Sequence, residues 1–165
     1  AAEEDLLFIS RCYPHLFSNI VIEITEAESD SPEKFQRKLG FIKEHGMQLA
    51  IDDFGSGYSN ELRILSMNPD IIKVDMALIQ GIHENQDQQQ LVANLISFCH
   101  PRGIRLIAEG VETSEDLAAI IRLGVDYVQG YYTGRPAFEF VPVDPAIQQE
   151  ILRYRAEADA AGGTP

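Results

Sequence analysis

Apolar residues follow two rhythms along this chain, and the rhythms alternate. Short runs rich in Ile and Val recur at 20–25, 48–53, 71–75, 105–110 and 127–132. Runs of this length and composition predict buried strands. Between them, apolar residues fall three and four apart, the spacing of one helix face. Phe35, Leu39 and Ile42 form one such stripe, opened by Ser31 as cap and Pro32 as first helical residue, and closed by Gly46. A short helix around 60–67 carries Leu62 and Leu65 and stops before Pro69. Leu91, Val92, Leu95, Ile96 and Cys99 give the buried side of a helix over 86–100, which Pro101 and Gly103 break. Thr113 is placed to cap a helix over 114–123 that ends at Gly124, and Asp144-Pro145 opens a last helix to about residue 158. Residues 3–13 predict one more helix, with Leu6, Leu7 and Phe8 on one side and Pro14 stopping it. Residues 162–165 read as a frayed tail.

Strands and helices that alternate in this way predict an α/β fold with about five parallel βα units, the strands buried on both faces. At 165 residues the chain is one domain by size. In parallel folds, ligands bind at the carboxyl ends of the strands. Here each strand ends in a polar residue that a core does not choose: Glu23, Asp52 with Asp53, Lys73, Glu109 and Gln129. One such residue is ordinary loop chemistry. Five in five predict a site. Adjacent carboxylates such as Asp52 and Asp53 repel unless a cation or proton sits between them. Oxygen ligands of this kind suit hard divalent cations such as Mg²⁺, and a lysine among them predicts a polarising role.

Charge narrows the function. Thirteen Lys and Arg stand against 26 Asp and Glu, a net charge of −13. That argues against a nucleic-acid polymer or an anionic membrane as partner. A phosphate-bearing substrate then needs local positive charge, from a metal or a placed lysine. Cys12 and Cys99 read as core fillers in a reducing compartment. The four His residues read as surface or helix-end residues. No signal peptide and no apolar run near 18 residues is present, which predicts a soluble, cytoplasmic domain with no direct membrane insertion.

Five fragments carry a family resemblance. They are Glu23-Ile24-Thr25-Glu26, Asp52-Asp53-Phe54-Gly55-Ser56-Gly57-Tyr58-Ser59, Lys73-Val74-Asp75, Ala108-Glu109-Gly110-Val111-Glu112-Thr113 and Gln129-Gly130-Tyr131-Tyr132. In this order and spacing the chain resembles the EAL family of cyclic-di-GMP phosphodiesterases, over about 20–135. The resemblance implies a TIM-like (β/α)₈ barrel with an antiparallel first strand. It implies hydrolysis of cyclic-di-GMP to linear pGpG with two Mg²⁺ or Mn²⁺ ions. It also implies roles. Glu23 ligates a metal, Asp52 bridges both ions and Asp53 binds the second. Lys73 holds or polarises the attacking water. Glu109 completes the metal site and orients that water, and Gln129 fixes a water or substrate oxygen. Glu26 tethers the loop 54–60, Glu112 stands behind Glu109 on the following loop, and Asp75 contributes substrate or loop contacts from the same strand face as Lys73. Simpler readings stand beside these: Glu26 as a helix-start acid, Gln129 as a satisfied core amide, Lys73 as a structural partner of Asp75 or Asp52. Tyr131 and Tyr132 read as wall residues rather than guanine stackers.

The sequence also departs from the family pattern. The Glu-x-Leu strand that names the family is absent, as is the Asn-bearing strand that follows it; both supply metal ligands. Residues 1–158 therefore read as an incomplete EAL domain, a partial barrel with its first strands missing, and 159–165 as a flexible tail. Open edges and an apolar inner face predict association, as a homodimer. With part of the ligand set missing, this chain alone is expected to be poorly active. The competing readings are a non-catalytic cyclic-di-GMP receptor and a dimerisation module. A magnesium-dependent lyase barrel fits the Asp-Asp-Phe-Gly pair poorly.

Overall fold

The computed structural model describes Phe8 and residues 12–25, 32–55 and 61–162. After a 3₁₀ turn at Pro14–Asn19, the chain alternates β1 (Val21–Thr25), α1 (Pro32–Glu44), β2 (Gln48–Phe54), α2 (Glu61–Met67), β3 (Ile71–Val74), the single-turn α3 (Met76–Ile79), α4 (Gln86–Cys99), β4 (Arg105–Ala108), α5 (Ser114–Leu123), β5 (Tyr127–Val128) and α6 (Pro145–Gly162). The five strands form one parallel sheet in chain order, β1-β2-β3-β4-β5. The expected α/β class and strand count are present.

One face of this sheet holds the core. Ile24, Leu49, Ile51, Phe54, Ile72, Val74, Leu106 and Ala108 are all buried there, with helix residues such as Leu39, Ile42, Val92, Ile96, Leu117 and Ile120 in the same cluster. Each Ile, Leu, Val or Phe side chain taken from water here contributes about 1.5–3 kcal/mol. The expectation of burial on both faces holds only for the middle of the sheet, where all four residues of β3 are buried. At the edges, Val21 of β1 and Tyr127 of β5 are exposed.

Several element readings need correction. Leu65 and Leu91 are exposed; α2 buries Ile64 and Met67 instead, and α4 buries Val92, Leu95, Ile96 and Cys99. Cys12 is exposed and is no core filler, whereas Cys99 is buried. The fourth strand stops at Ala108, because Gly110 turns the chain at φ 68°. The fifth stops at Val128, because residues 130–133 close a turn in which the Thr133 N–H and hydroxyl both reach the Gly130 carbonyl. Asp75 is not on the β3 strand face: it caps α3, accepting from the Ala77 N–H at 2.8 Å. The last helix runs to Gly162 rather than 158. Thr113 and Gly124 cap α5 as expected, the latter left-handed at φ 91°. Of the helix expected over 3–13, only Phe8 and Cys12 are among the described residues, and both are helical. Ser31 lies outside them. No helix among the described residues is long and apolar enough to cross a membrane.

Candidate metal and substrate site

The site begins with an irregularity in β2. Ile51 pairs with Ile72 and Phe54 with Val74, so three steps along β2 match two along β3. The extra residue is a β-bulge, and Asp53 within it has φ 56°. In a regular strand, neighbours point to opposite faces, so Asp52 and Asp53 would diverge. A bulge with one residue left-handed breaks that alternation. Asp tolerates the left-handed region better than most residues. One carboxylate oxygen each from Asp52, Asp53 and Glu109 can therefore lie within 4.8 Å of one another.

Lys73 organises the rest. Register places Glu23 beside Ala50, Thr25 beside Asp52, and Lys73 beside Ile107, so the polar side chains rise on the sheet face opposite the core. The Lys73 ammonium donates to Asp52 Oδ1 at 2.8 Å and Glu23 Oε2 at 3.2 Å, and lies 3.0 Å from Glu109 Oε1. The residue is 6% exposed. Burial alone lowers a lysine pKa, but the hydrogen bonds to Asp52, Glu109 and Glu23 outweigh it and raise the group well above its ordinary value. Glu109 shows the converse: burial raises its pKa despite the opposing pull of Lys73, and Asp52 and Asp53 push it the same way. Three carboxylates touch the one ammonium and Asp53 stands beside them, so negative charge remains to attract a cation. An all-oxygen donor set of this kind suits a hard divalent ion.

A cavity of about 540 Å³ opens beside the cluster. Asp53, Asp75, Glu109 and Glu112 line it, with Gln129, Tyr131 and Arg135. Backbone bonds extend the sheet into this wall: Glu109 N–H to the Val74 carbonyl at 3.0 Å, and Gln129 N–H to the Ala108 carbonyl at 2.8 Å. Gly130 lies so close to the backbone of Val111 that a side chain would collide with it. The Arg135 guanidinium lies over the Tyr131 ring, 4.5 Å from its centroid. Among the described residues Arg135 is the one basic residue in the lining, and it makes no ion pair with any of them.

The structure therefore brings Glu23, Asp52, Glu109 and Lys73 together, with Asp53 joined to Asp52 and Glu109. Gln129, Glu112 and Asp75 reach the cavity rather than the lysine. Glu26 and residues 56–60 of the loop it was expected to tether lie outside the described residues. Sequence reasoning missed Arg135, whose signal was its place just past the Gln-Gly-Tyr-Tyr run.

A sequence model of the EAL domain matches residues 4–136. The chain belongs to the EAL domain family. Among curated EAL relatives, the cyclic di-GMP phosphodiesterase PdeF of Escherichia coli K12 is 36% identical over 118 residues, which is 71% of this chain and 16% of that protein. The chain thus spans about a sixth of that relative's length. A standalone versatile EAL protein from Vibrio cholerae O395, solved in a c-di-GMP bound form, superposes with TM-score 0.76 at 36% identity, covering 86% of this chain and 61% of that one. Klebsiella pneumoniae BlrP1 superposes with TM-score 0.70 at 38% identity in a manganese/cy-diGMP complex, covering 81% of this chain and 33% of that one. Its calcium/cy-diGMP complex gives 0.73 at 36% identity, covering 85% and 35%. The EAL fold is TIM-barrel-like, and the five strands described here form part of such a barrel.

Proposed function

We propose that this chain is the larger part of a cyclic-di-GMP phosphodiesterase domain, hydrolysing its substrate to linear pGpG. One observation carries the reading: Asp52, Asp53 and Glu109 converge within 4.8 Å beside an open cavity. Glu23, Asp52, Asp53 and Glu109 would hold Mg²⁺ or Mn²⁺. When bound, such ions polarise a phosphodiester and lower the pKa of coordinated water. The chain's own residues have distinct tasks. Lys73 holds three carboxylates in register and offsets their repulsion. Glu109 completes the ligand set that this chain carries and would orient the attacking water. Gln129 offers an amide to a water or substrate oxygen. Arg135, held over the Tyr131 ring, presents a guanidinium to a phosphate. Glu112 and Asp75 shape the acidic wall, and Glu26 is assigned to the loop after β2. The reaction forms one bond from water oxygen to phosphorus and breaks one P–O3′ bond. The 3′ oxygen leaves with a proton.

Without the Glu-x-Leu and Asn strands the metal ligand set is incomplete, so weak turnover is expected from these 165 residues by themselves. The test is chromatography of cyclic-di-GMP incubated with the protein and Mg²⁺ or Mn²⁺. Slow release of pGpG, lost in Asp52→Asn, supports the reading; fast turnover by this chain alone refutes its incompleteness, and no product under any metal refutes the activity. We also propose homodimeric association through the exposed sheet face that carries Val21 and Tyr127. Light scattering with a monomer mass at high micromolar concentration would exclude it.

A further inference from the structure

Behind the cavity wall, on the side turned to α6, lies a polar cluster that the metal site does not use. Glu150, in the second turn of α6, accepts from the Ser114 hydroxyl at 2.6 Å, the Tyr132 phenol at 2.6 Å and the Tyr154 phenol at 3.1 Å. The Ser114 and Tyr154 oxygens are themselves 2.8 Å apart. The Glu150 side chain is 21% exposed, so water competes only partly for it. The two bonds at 2.6 Å, from Ser114 and Tyr132, belong to the strong, charge-assisted kind. Accepting from Ser114 and then from Tyr132 draws the Glu150 pKa down, and the same contact draws that of Tyr132 up.

Two of these hydroxyls sit at the ends of the two loops that build the cavity, Ser114 as the first residue of α5 and Tyr132 in the turn after β5. Ser114 follows Glu112 by two residues, and Tyr132 follows Gln129 by three. At the front the loops are joined by backbone: Val111 N–H to the Gln129 carbonyl at 3.3 Å and Tyr132 N–H to the Val111 carbonyl at 3.0 Å. Glu150 joins them again from behind. Loops fixed at two points cannot slide apart without breaking one of them. Glu150 also lies past residue 136, where the family match ends, so membership in the EAL family assigns it nothing.

We propose that Glu150 is a positioning residue, an α6 carboxylate that holds the Glu109–Glu112 wall and the Gln129–Tyr131 wall at the separation the substrate needs. The proposal rests on reading the cavity as the cyclic-dinucleotide site. A small loss of alignment between reacting groups is enough to slow a reaction severely, so both Glu150→Leu and Tyr132→Phe are expected to lower kcat about tenfold. The double variant is expected to be no worse than Glu150→Leu alone, because each change breaks the same Ser114–Glu150–Tyr132 bridge. Glu150→Gln, which keeps an acceptor oxygen, is expected to recover most of the rate. Hydrogen exchange at the Val111 and Tyr132 amides is expected to quicken in both E150L and Y132F. These measurements use the protein that carries this chain. A melting temperature that falls while kcat and amide exchange hold steady would overturn the proposal, as would multiplicative effects in the double variant. Should E150L fail to fold, Y132F, which loses one oxygen, carries the test. Absence of hydrolysis by the unmutated protein would sink the phosphodiesterase reading alone, and amide exchange would still decide the role of Glu150.

Discussion

Lys73 changes what the acids require. Two adjacent aspartates at a strand end call for a cation or a proton nearby, and the ammonium already bridges one of them, Asp52, to Glu23 and Glu109. Removing it leaves carboxylates facing one another with no counter-charge. Lys73→Met is therefore expected to cost about 3 kcal/mol of stability in metal-free buffer, by denaturant melts, and to abolish hydrolysis. Added Mg²⁺ or Mn²⁺ is expected to restore much of the stability and none of the activity. A variant as stable as wild type in chelator would show that the lysine is not what holds the acids. The residue types of this site were legible in the sequence because each interrupts an apolar strand. Their geometry was not. The bulge at Asp53 is a backbone event, and Asp52-Asp53 reads the same in a strand with or without it.

At the scale of elements, the least legible feature is a tie between α5 and the turn after α3. Asp116, 3% exposed on the first turn of α5, accepts from the Gly81 and His83 backbone N–H groups and pairs with the His83 ring at 2.7 Å. An isolated His at a loop position gave no hint of this, because its partner lies 33 residues away. The contact with Asp116 raises the His83 pKa, and Glu84 and Glu115 add to it. Burial works to raise the Asp116 pKa, but the hydrogen bonds from His83 and Gly81 prevail and lower it. A raised histidine stabilises the fold fully below its unfolded value of about 6.5, and that share is lost as pH rises through the folded value. A lowered aspartate stabilises above about 3.9, and its share is lost as pH falls through the folded value. The tie is thus strongest between those limits. The melting temperature of wild type is expected to fall from pH 6 to pH 8, and His83→Asn is expected to remove much of that fall. Parallel thermal melts check this; equal slopes in both proteins would count against it. The strands themselves were readable because their periodicity comes from burial. Their ends were not, because Gly110 and the turn after Gly130 stop them by backbone geometry.

For the whole molecule, charge and the proposed substrate are opposed. A chain with net charge −13 repels a dinucleotide bearing two phosphates, so capture depends on where the positive groups sit. Lys73 is occupied by three carboxylates, which leaves Arg135 on the cavity lining. Arg135→Gln is expected to weaken cyclic-di-GMP binding about tenfold, since charge-assisted hydrogen bonds contribute more than neutral ones. Calorimetry with the Ca²⁺-loaded protein measures it, and an unchanged Kd would remove Arg135 from the binding surface. The architecture at this scale followed from strand–helix alternation, while the placement of Arg135 depended on a turn that no periodicity announces.

The kink in the second strand has a consequence for anyone who would tidy this protein. Deleting one residue there would give straighter pairing with the third strand and a backbone free of its unfavourable φ angle. It would also leave room for one aspartate where there are two, because Ile51 and Phe54 stay paired with Ile72 and Val74 and a single position then lies between them. The neater molecule would be the inert one.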